Sequence, residues 1–281
     1  MVRIITDGTS DMSAQRAAEL NIDVIPLRVL FGEESFLDGV DITREEFFAR
    51  LASSQELPTT SQLTPDDFLG LFQKYAAQGD EIVGIFVSTE LSGTCQSACI
   101  AREMVEGGEI HIVDSRTVTF ALALLVEEAA RMRDQGLSAA QIAAEVEKLA
   151  QRTHLLAVVD TLTYLKKGGR VSAATAAVGG LLGIKPIVGV DSRGTVEALG
   201  KARSIASGLD WIAQHIKNAP ADPEHLVAYG HSNSPDRVPV CMEALKDALP
   251  QDKPPLMGSI GAVVGTHVGP GAVGVAYIAA E

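Results

Sequence analysis

The chain has 281 residues, 46% of them hydrophobic but only 5% aromatic, and a formal net charge of −13. That length suits two domains of ordinary size with an interior of Ala, Val, Leu and Ile. The acidic balance excludes a general polyanion binder, so no nucleic-acid partner is expected, and only a local basic patch leaves room for transient membrane contact.

In chain order, residues 2–6 read as an apolar strand, and either Ser10 or Ser13 can cap the helix that follows. Residues 22–31 form a second extended run, interrupted by Pro26. Thr43 and Glu46 make a capping box ahead of Phe47, Phe48 and Leu51. Thr64 caps a further helix, with Pro65 first and Asp66 and Asp67 in the opening turn. Residues 81–87 and 110–113 read as buried strands, and residues 117–134 and 138–152 as helices, the second with a capping box of Ser138 and Gln141. Residues 155–159 close the series as another strand. This alternation predicts a parallel sheet covered by helices on both faces.

Beyond about residue 160 glycine becomes dense, with Gly168, Gly169, Gly179, Gly180, Gly183, Gly189 and Gly194. Short strands at 184–190, 195–200, 225–230 and 272–278 alternate with helices near 204–217 and 236–249. The expectation is an α/β protein of two closely packed domains: 1–160, an N-terminal α/β domain, and 161–281, a C-terminal α+β domain. Residues 256–280 carry no Asp, Glu, Lys or Arg, yet their glycines and Pro270 fit a buried strand, a turn and a second strand better than a membrane span. Three cysteines, Cys95, Cys99 and Cys241, give no disulfide framework. The first residues lack a basic stretch followed by an apolar run, so a cytoplasmic location is expected.

Four segments could carry chemistry. The loop from Ser88 to Thr94 follows a strand and opens a helix. Such a corner presents backbone N–H groups to an anion. Ser92 adds a hydroxyl, Gly93 allows close approach, and plain capping by Ser92 is the competing reading. The run Thr59-Thr60-Ser61-Gln62 is rich in hydroxyls that the helix cap at Thr64 does not need, or else a solvated loop. Neither segment contains Lys or Arg, which suits a carboxylate better than a phosphate dianion. Leu165-Lys166-Lys167-Gly168-Gly169-Arg170 reads as an exposed basic turn, either simply solvated or a docking patch for an acidic partner or lipid headgroup, and Lys185 is a candidate neighbour of it. His267, between Gly265 and Gly269, is either a core histidine or a donor to an anion. Cys95 and Cys99 share a helix face without a second zinc-spaced pair, so no metal site is expected. Ser92, His267 and Asp114 could form a hydrolytic triad, but no G-x-S-x-G elbow supports a serine-dependent acyl hydrolase.

Together these motifs resemble the DegV family, whose characterised bacterial members are the fatty-acid-binding subunits of fatty acid kinase. The similarity rests on TDGTSDM at 6–12, IPLRV at 25–29, DGVDITREEF at 38–47, PTTSQLTP at 58–65, STELSGTCQSA at 88–98, IVDSRTV at 112–118, LTYLKKGGRVS at 162–172, GIKPIVGVD at 183–191 and GSIGAVVGTHVGPGAVGV at 258–275. It implies a three-layer domain with a parallel sheet, a second domain with a mixed sheet, and a ligand tunnel between and within them. One long-chain fatty acid would be the ligand, with no other cofactor. Its carboxylate would be held by Thr60 and Ser92 with support from His267, near Ser61, Gly93 and Thr94. Arg170, with Lys166 and Lys167, would lie outside the tunnel and meet a separate ATP-dependent kinase subunit that makes the acyl-phosphate for phospholipid synthesis, so this chain would not itself be an enzyme. Leu63 stands where the family commonly has proline and Gly8 where serine is common, and neither is expected to touch the four site residues.

Overall fold

The computed structural model describes residues 1–172, 175 and 183–281; Gly179 and Gly180 of the glycine-dense stretch lie outside them. Strand β1 (Val2–Asp7) lies beside β2 (Ile22–Ile25) on one side and β6 (Glu81–Phe86) on the other, and β7 (Ile110–Asp114) completes a parallel sheet of order β2-β1-β6-β7. Helices α1 (Ala14–Glu19), α3 (Pro65–Ala77), α4 (Thr94–Glu103), α5 (Thr119–Asp134) and α6 (Ala139–Arg152) connect or cover these strands. Alternate residues of β1 face opposite sides, as the period of a strand requires. Ile4 packs with Leu122 and Val126 of α5, and Ile5 with Phe68 and Phe72 of α3.

The local signals act as anticipated. Ser13 caps α1 by accepting from the Arg16 N–H. Reciprocal boxes close α6 at Ser138–Gln141 and α2 (Arg44–Ser53) at Thr43–Glu46. At α3 the Asp67 carboxylate accepts from both the backbone N–H and the hydroxyl of Thr64, each at 2.7 Å.

Residues 22–31 do not form one strand. Pro26 cannot supply a ladder N–H, and the run divides between β2 and β3 (Arg28–Phe31). The latter heads an antiparallel sheet of order β4-β3-β5, with β4 at Glu34–Leu37 and β5 at Thr59–Ser61. The hydroxyl-rich loop is therefore a short edge strand, with Thr60 opposite Val29.

Strand β8 (Thr153–Val158) belongs to neither of these sheets. Although it continues the apolar βα alternation, it pairs with β9 (Lys185–Val190) and β13 (Val273–Ile278) in a mixed sheet of order β10-β9-β8-β13-β11-β12. Here β10 is Val196–Ala202, β11 Ala228–His231 and β12 Leu256–Ser259. One face packs on α8 (Ile205–Ile216) and α9 (Arg237–Leu245), through Leu156, Val158, Ile187, Tyr229 and Val275. The other face meets α5, whose Phe120 and Leu124 join Ala228 and Ala276 in a shared cluster. Helix α5 thus touches both large sheets, and its near-continuous burial explains its apolar sequence.

The segment 256–280 is corrected in one respect. Between β12 and β13 lies a helix, α10 (Ala262–Val268), where a glycine-rich turn was expected. Its glycine serves close packing: a Cβ on Gly265 would stand 2.8 Å from Phe47 and 3.0 Å from Phe48. Among the described residues, no helix is long and apolar enough to cross a membrane.

Candidate functional site

The parallel sheet changes direction between β1 and β6, since β2 lies to one side and β7 to the other. At such a switch point the loops diverge and leave a crevice at the carboxyl edge. The buried Asp7 carboxylate pins this crevice, accepting from Val87 N–H at 2.9 Å, Thr9 N–H at 2.8 Å and the Thr9 hydroxyl at 2.5 Å. A cavity opens here and runs on over the mixed sheet. Thr60, Ser61, Gln62, Ser92, Arg170 and His267 border it at one end; Leu155, Ala157, Val188, Val263, Val264 and Val268 are among its apolar walls.

His267 occupies the last turn of α10, and its Nε2 lies 2.9 Å from Thr60 Oγ1. Burial, reinforced by the positive charge of Arg170, lowers its pKa to about 4, so the imidazole is neutral at pH 7. Among the described residues, the buried Nδ1 has no partner. Placing the ring proton on Nε2 leaves an unmatched lone pair at Nδ1 rather than an unmatched N–H, the less costly of the two. In that assignment Nε2–H donates to Thr60, and the threonine hydroxyl keeps its own proton for a ligand.

Ser92 is arranged by the same logic. The Leu63 N–H donates to Thr94 Oγ1 at 3.4 Å, and Thr94 Oγ1 lies 2.9 Å from Ser92 Oγ. The Thr94 N–H also donates to Ser92 Oγ, at 3.3 Å. In the assignment where the Thr94 hydroxyl donates to Ser92, the Ser92 proton is free for the cavity. Leu63 bonds none of Thr60, Ser92, Arg170 and His267 directly, but its backbone N–H reaches their neighbour Thr94; a proline has no N–H to give. Gly93 is the residue before α4, and the Gln62 side chain lies on it where a Cβ would stand. Both hydroxyl segments thus meet each other, and two directed O–H groups converge without a lysine between them.

Arg170 is not the exposed residue expected of a basic turn. Lys166 and Lys167 end the short helix α7 (Thr163–Gly168), Gly169 turns the chain at φ 69°, and Arg170 folds back half-buried. Its guanidinium donates to the carbonyls of Leu91 at 3.2 Å and Gly168 at 2.7 Å, strapping α7 to the Ser92 loop at the cavity rim. Lys167 remains exposed. Lys185 is instead held by Asp160 at 2.7 Å, which also binds Arg237 at 3.0 Å.

A relationship not foreseen in the sequence fixes α10 from its other end. The Asp11 carboxylate accepts from Gly261 N–H at 2.7 Å and the Thr119 hydroxyl at 2.5 Å, and Asp38 accepts from Val263 N–H at 2.8 Å. These bonds satisfy N–H groups that a helix start leaves unpaired. Asp11 and Thr119 both adopt left-handed backbone, at φ 55° each, which costs non-glycine residues of order 1–3 kcal/mol apiece and marks sites where surroundings over-determine the chain. The acid-to-amide spacing of 250 residues gave no local signal. The triad reading does not assemble: His267 bonds Thr60, Ser92 bonds Thr94, and Asp114 is taken by Thr89 and the Arg116 N–H.

The geometry suits a monoanionic head on an apolar tail. A family model described as "Uncharacterised protein, DegV family" matches residues 1–280. A DegV domain-containing protein of Caldanaerobacter subterraneus is 34% identical over 277 residues, 98% of each chain. Among solved structures, a DegV family protein from Thermus thermophilus, described by its fatty acid binding, superposes with a TM-score of 0.89 at 28% identity over 99% of both chains. A stearic-acid-binding protein from Eubacterium ventriosum gives 0.88 at 27% identity, over 99% of this chain and 98% of that one.

Proposed function

The chain belongs to the DegV family, and from that premise we propose that it binds one long-chain fatty acid and presents the carboxylate to a partner. The observation that carries this reading is the pair of hydroxyls, Thr60 and Ser92, each supplied with a hydrogen bond from behind and each bordering an apolar cavity. The fatty acids described for similar solved structures support it.

Burial of the alkyl chain supplies most of the affinity, at about 0.8 kcal/mol per methylene before ordering costs. The hydroxyls then orient the head. With His267 neutral, the charge nearest the head is the Arg170 guanidinium, and its two carbonyl bonds hold it at the rim. The exposed Lys167, with Lys166 and Arg170, is the surface offered to an ATP-dependent kinase subunit that converts the carboxylate to an acyl-phosphate; this chain performs no phosphoryl transfer. Its support is position: the basic cluster adjoins the loop that carries Ser92, in a chain of net charge −13.

Mass spectrometry of lipid released from the purified, denatured protein tests the binding reading. A stoichiometric fatty acid is the expected result. Protein that arrives empty and takes up neither palmitate nor oleate overturns it.

A further inference from the structure

The cavity borders strands from β10, at Val196, to β11, at Gly230. Four interstrand steps separate those two in the sheet order, a span of about 19 Å at the usual spacing. Its two ends belong to different packing clusters. Leu91, Leu165, Val190 and Val196 gather at the end that holds Ser92 and Arg170. Phe120, Ile260, Leu155 and Val264 gather at the other. Beyond the Phe120 ring the same cluster continues in Leu124, Ala228 and Leu256, none of which borders the cavity.

The ring has nowhere to retreat. The Phe120 side chain is packed against two strand backbones: a Cβ on Gly230 would overlap its Cδ1 and Cε1, and a Cβ on Gly258 would come within 2.9 Å of the Phe120 Cβ. Its own backbone is fixed one residue earlier, where Thr119 bonds Asp11. Only glycine at 230 leaves room for an aromatic side chain at this point of the sheet.

We propose that Phe120, seated on Gly230 and Gly258, is the stop that limits the length of the acyl chain. The inference rests on the fatty-acid reading above and adds the residue that selects among unbranched acids. An acid shorter than the span leaves apolar wall uncovered, and each added methylene brings about fourfold in affinity (about 0.8 kcal/mol) until the tail meets the ring. A longer acid must displace a buried aromatic that has no free volume behind it.

The test measures affinity for laurate, myristate, palmitate, stearate and arachidate in the full chain and in Phe120→Ala, Phe120→Leu and Gly230→Ala, with melting temperature recorded for each. In the unaltered protein affinity is expected to rise about fourfold per methylene and then level off. Phe120→Ala should carry the rise on to the longer acids, and Gly230→Ala, which drives the ring into the tunnel, should end it sooner. Phe120→Leu retains apolar cover on the glycines and should shift the plateau in the same direction as Phe120→Ala, so the idea stands or falls even where the alanine variant folds poorly. Length profiles that are parallel in all the folded proteins overturn the stop while leaving fatty-acid binding intact. Failure of every protein to bind any of the acids overturns both.

Discussion

Gly168 lies against the His267 imidazole, so closely that a Cβ at 168 would stand 2.3 Å from Nδ1. Alanine is otherwise the better helix residue, by about 1 kcal/mol, and Gly168 is the last residue of α7. Contact with a buried ring decides the sign. Gly168→Ala is expected to push His267 away from Thr60 and weaken acid binding by about 0.5–1.5 kcal/mol, the range for a lost hydrogen bond between neutral groups. Calorimetric titration against His267→Ala checks this; equal affinities in wild type and Gly168→Ala would show that the ring moves without consequence.

Thr60→Val and Ser92→Ala each remove one directed donor and should each cost about 1–3 kcal/mol for the acid but far less for its methyl ester. Thr94→Val leaves Ser92 in place but removes the hydroxyl that orients it. It should weaken acid binding by a smaller amount, and its effect should vanish in the Ser92→Ala background, a coupling that a double-mutant cycle reads directly. Equal losses for acid and ester would show that these hydroxyls do not read the carboxylate.

Asp11 predicts a pH dependence. Burial outweighs its bonds from Thr119 and Gly261 and the charge of Arg44, and raises its pKa to about 7 from an ordinary 3.8. Between those values the folded protein holds a proton that the unfolded chain has released, so the contribution is fully present below about 4 and is lost as pH rises toward 7. Asparagine mimics the protonated acid, offering an acceptor to Gly261 and a donor to Thr119. Asp11→Asn should therefore gain melting temperature relative to wild type as pH goes from 5 to 8. A difference that stays constant across that range would mean that Asp11 does not titrate there.

The rim separates binding from presentation. Lys167→Glu should leave fatty-acid affinity unchanged and lower acyl-phosphate formation with a cognate kinase and ATP, with a weaker salt dependence of the encounter. Arg170→Ala should also lower phosphorylation. Because it cuts the strap to Leu91, it should in addition speed release of a bound acid. Normal phosphorylation in both variants would remove the basic rim from the docking surface.

Local chemistry was legible wherever neighbours in sequence determine the outcome. Thr43 with Glu46 and Ser138 with Gln141 need only three residues to close a box, and Pro26 alone divides a strand. Motif and resemblance single out Thr60, Ser92 and His267; all three border one cavity, and their hold on a carboxylate is the proposal made above. The assignment of β8 to the mixed sheet was not legible, because an apolar run of six residues says that it is buried but not beside which partner. Helix α10 was hidden by its glycines, which signal a turn in sequence yet here admit Phe47 and Phe48. Arg170 was misplaced because a Gly-Gly-Arg run looks solvated until Leu91, 79 residues away, supplies the carbonyl.

Strand β13 comes after every one of its neighbours in the chain, yet it sits inside the mixed sheet with β8 on one side and β11 on the other. The strands of the parallel sheet end at Asp114 and its covering helices α5 and α6 at Arg152, so it can assemble while the ribosome is still working. The mixed sheet must wait for residues 273–278, and pairing so distant in sequence is slow. Until then β8 and β11 present bare edges, which are the surfaces most apt to join wrong partners. The cavity is therefore incomplete until β13 has been made: Val273 and Gly274 border it, and a nascent chain that stops short of them has no closed apolar space to offer a tail.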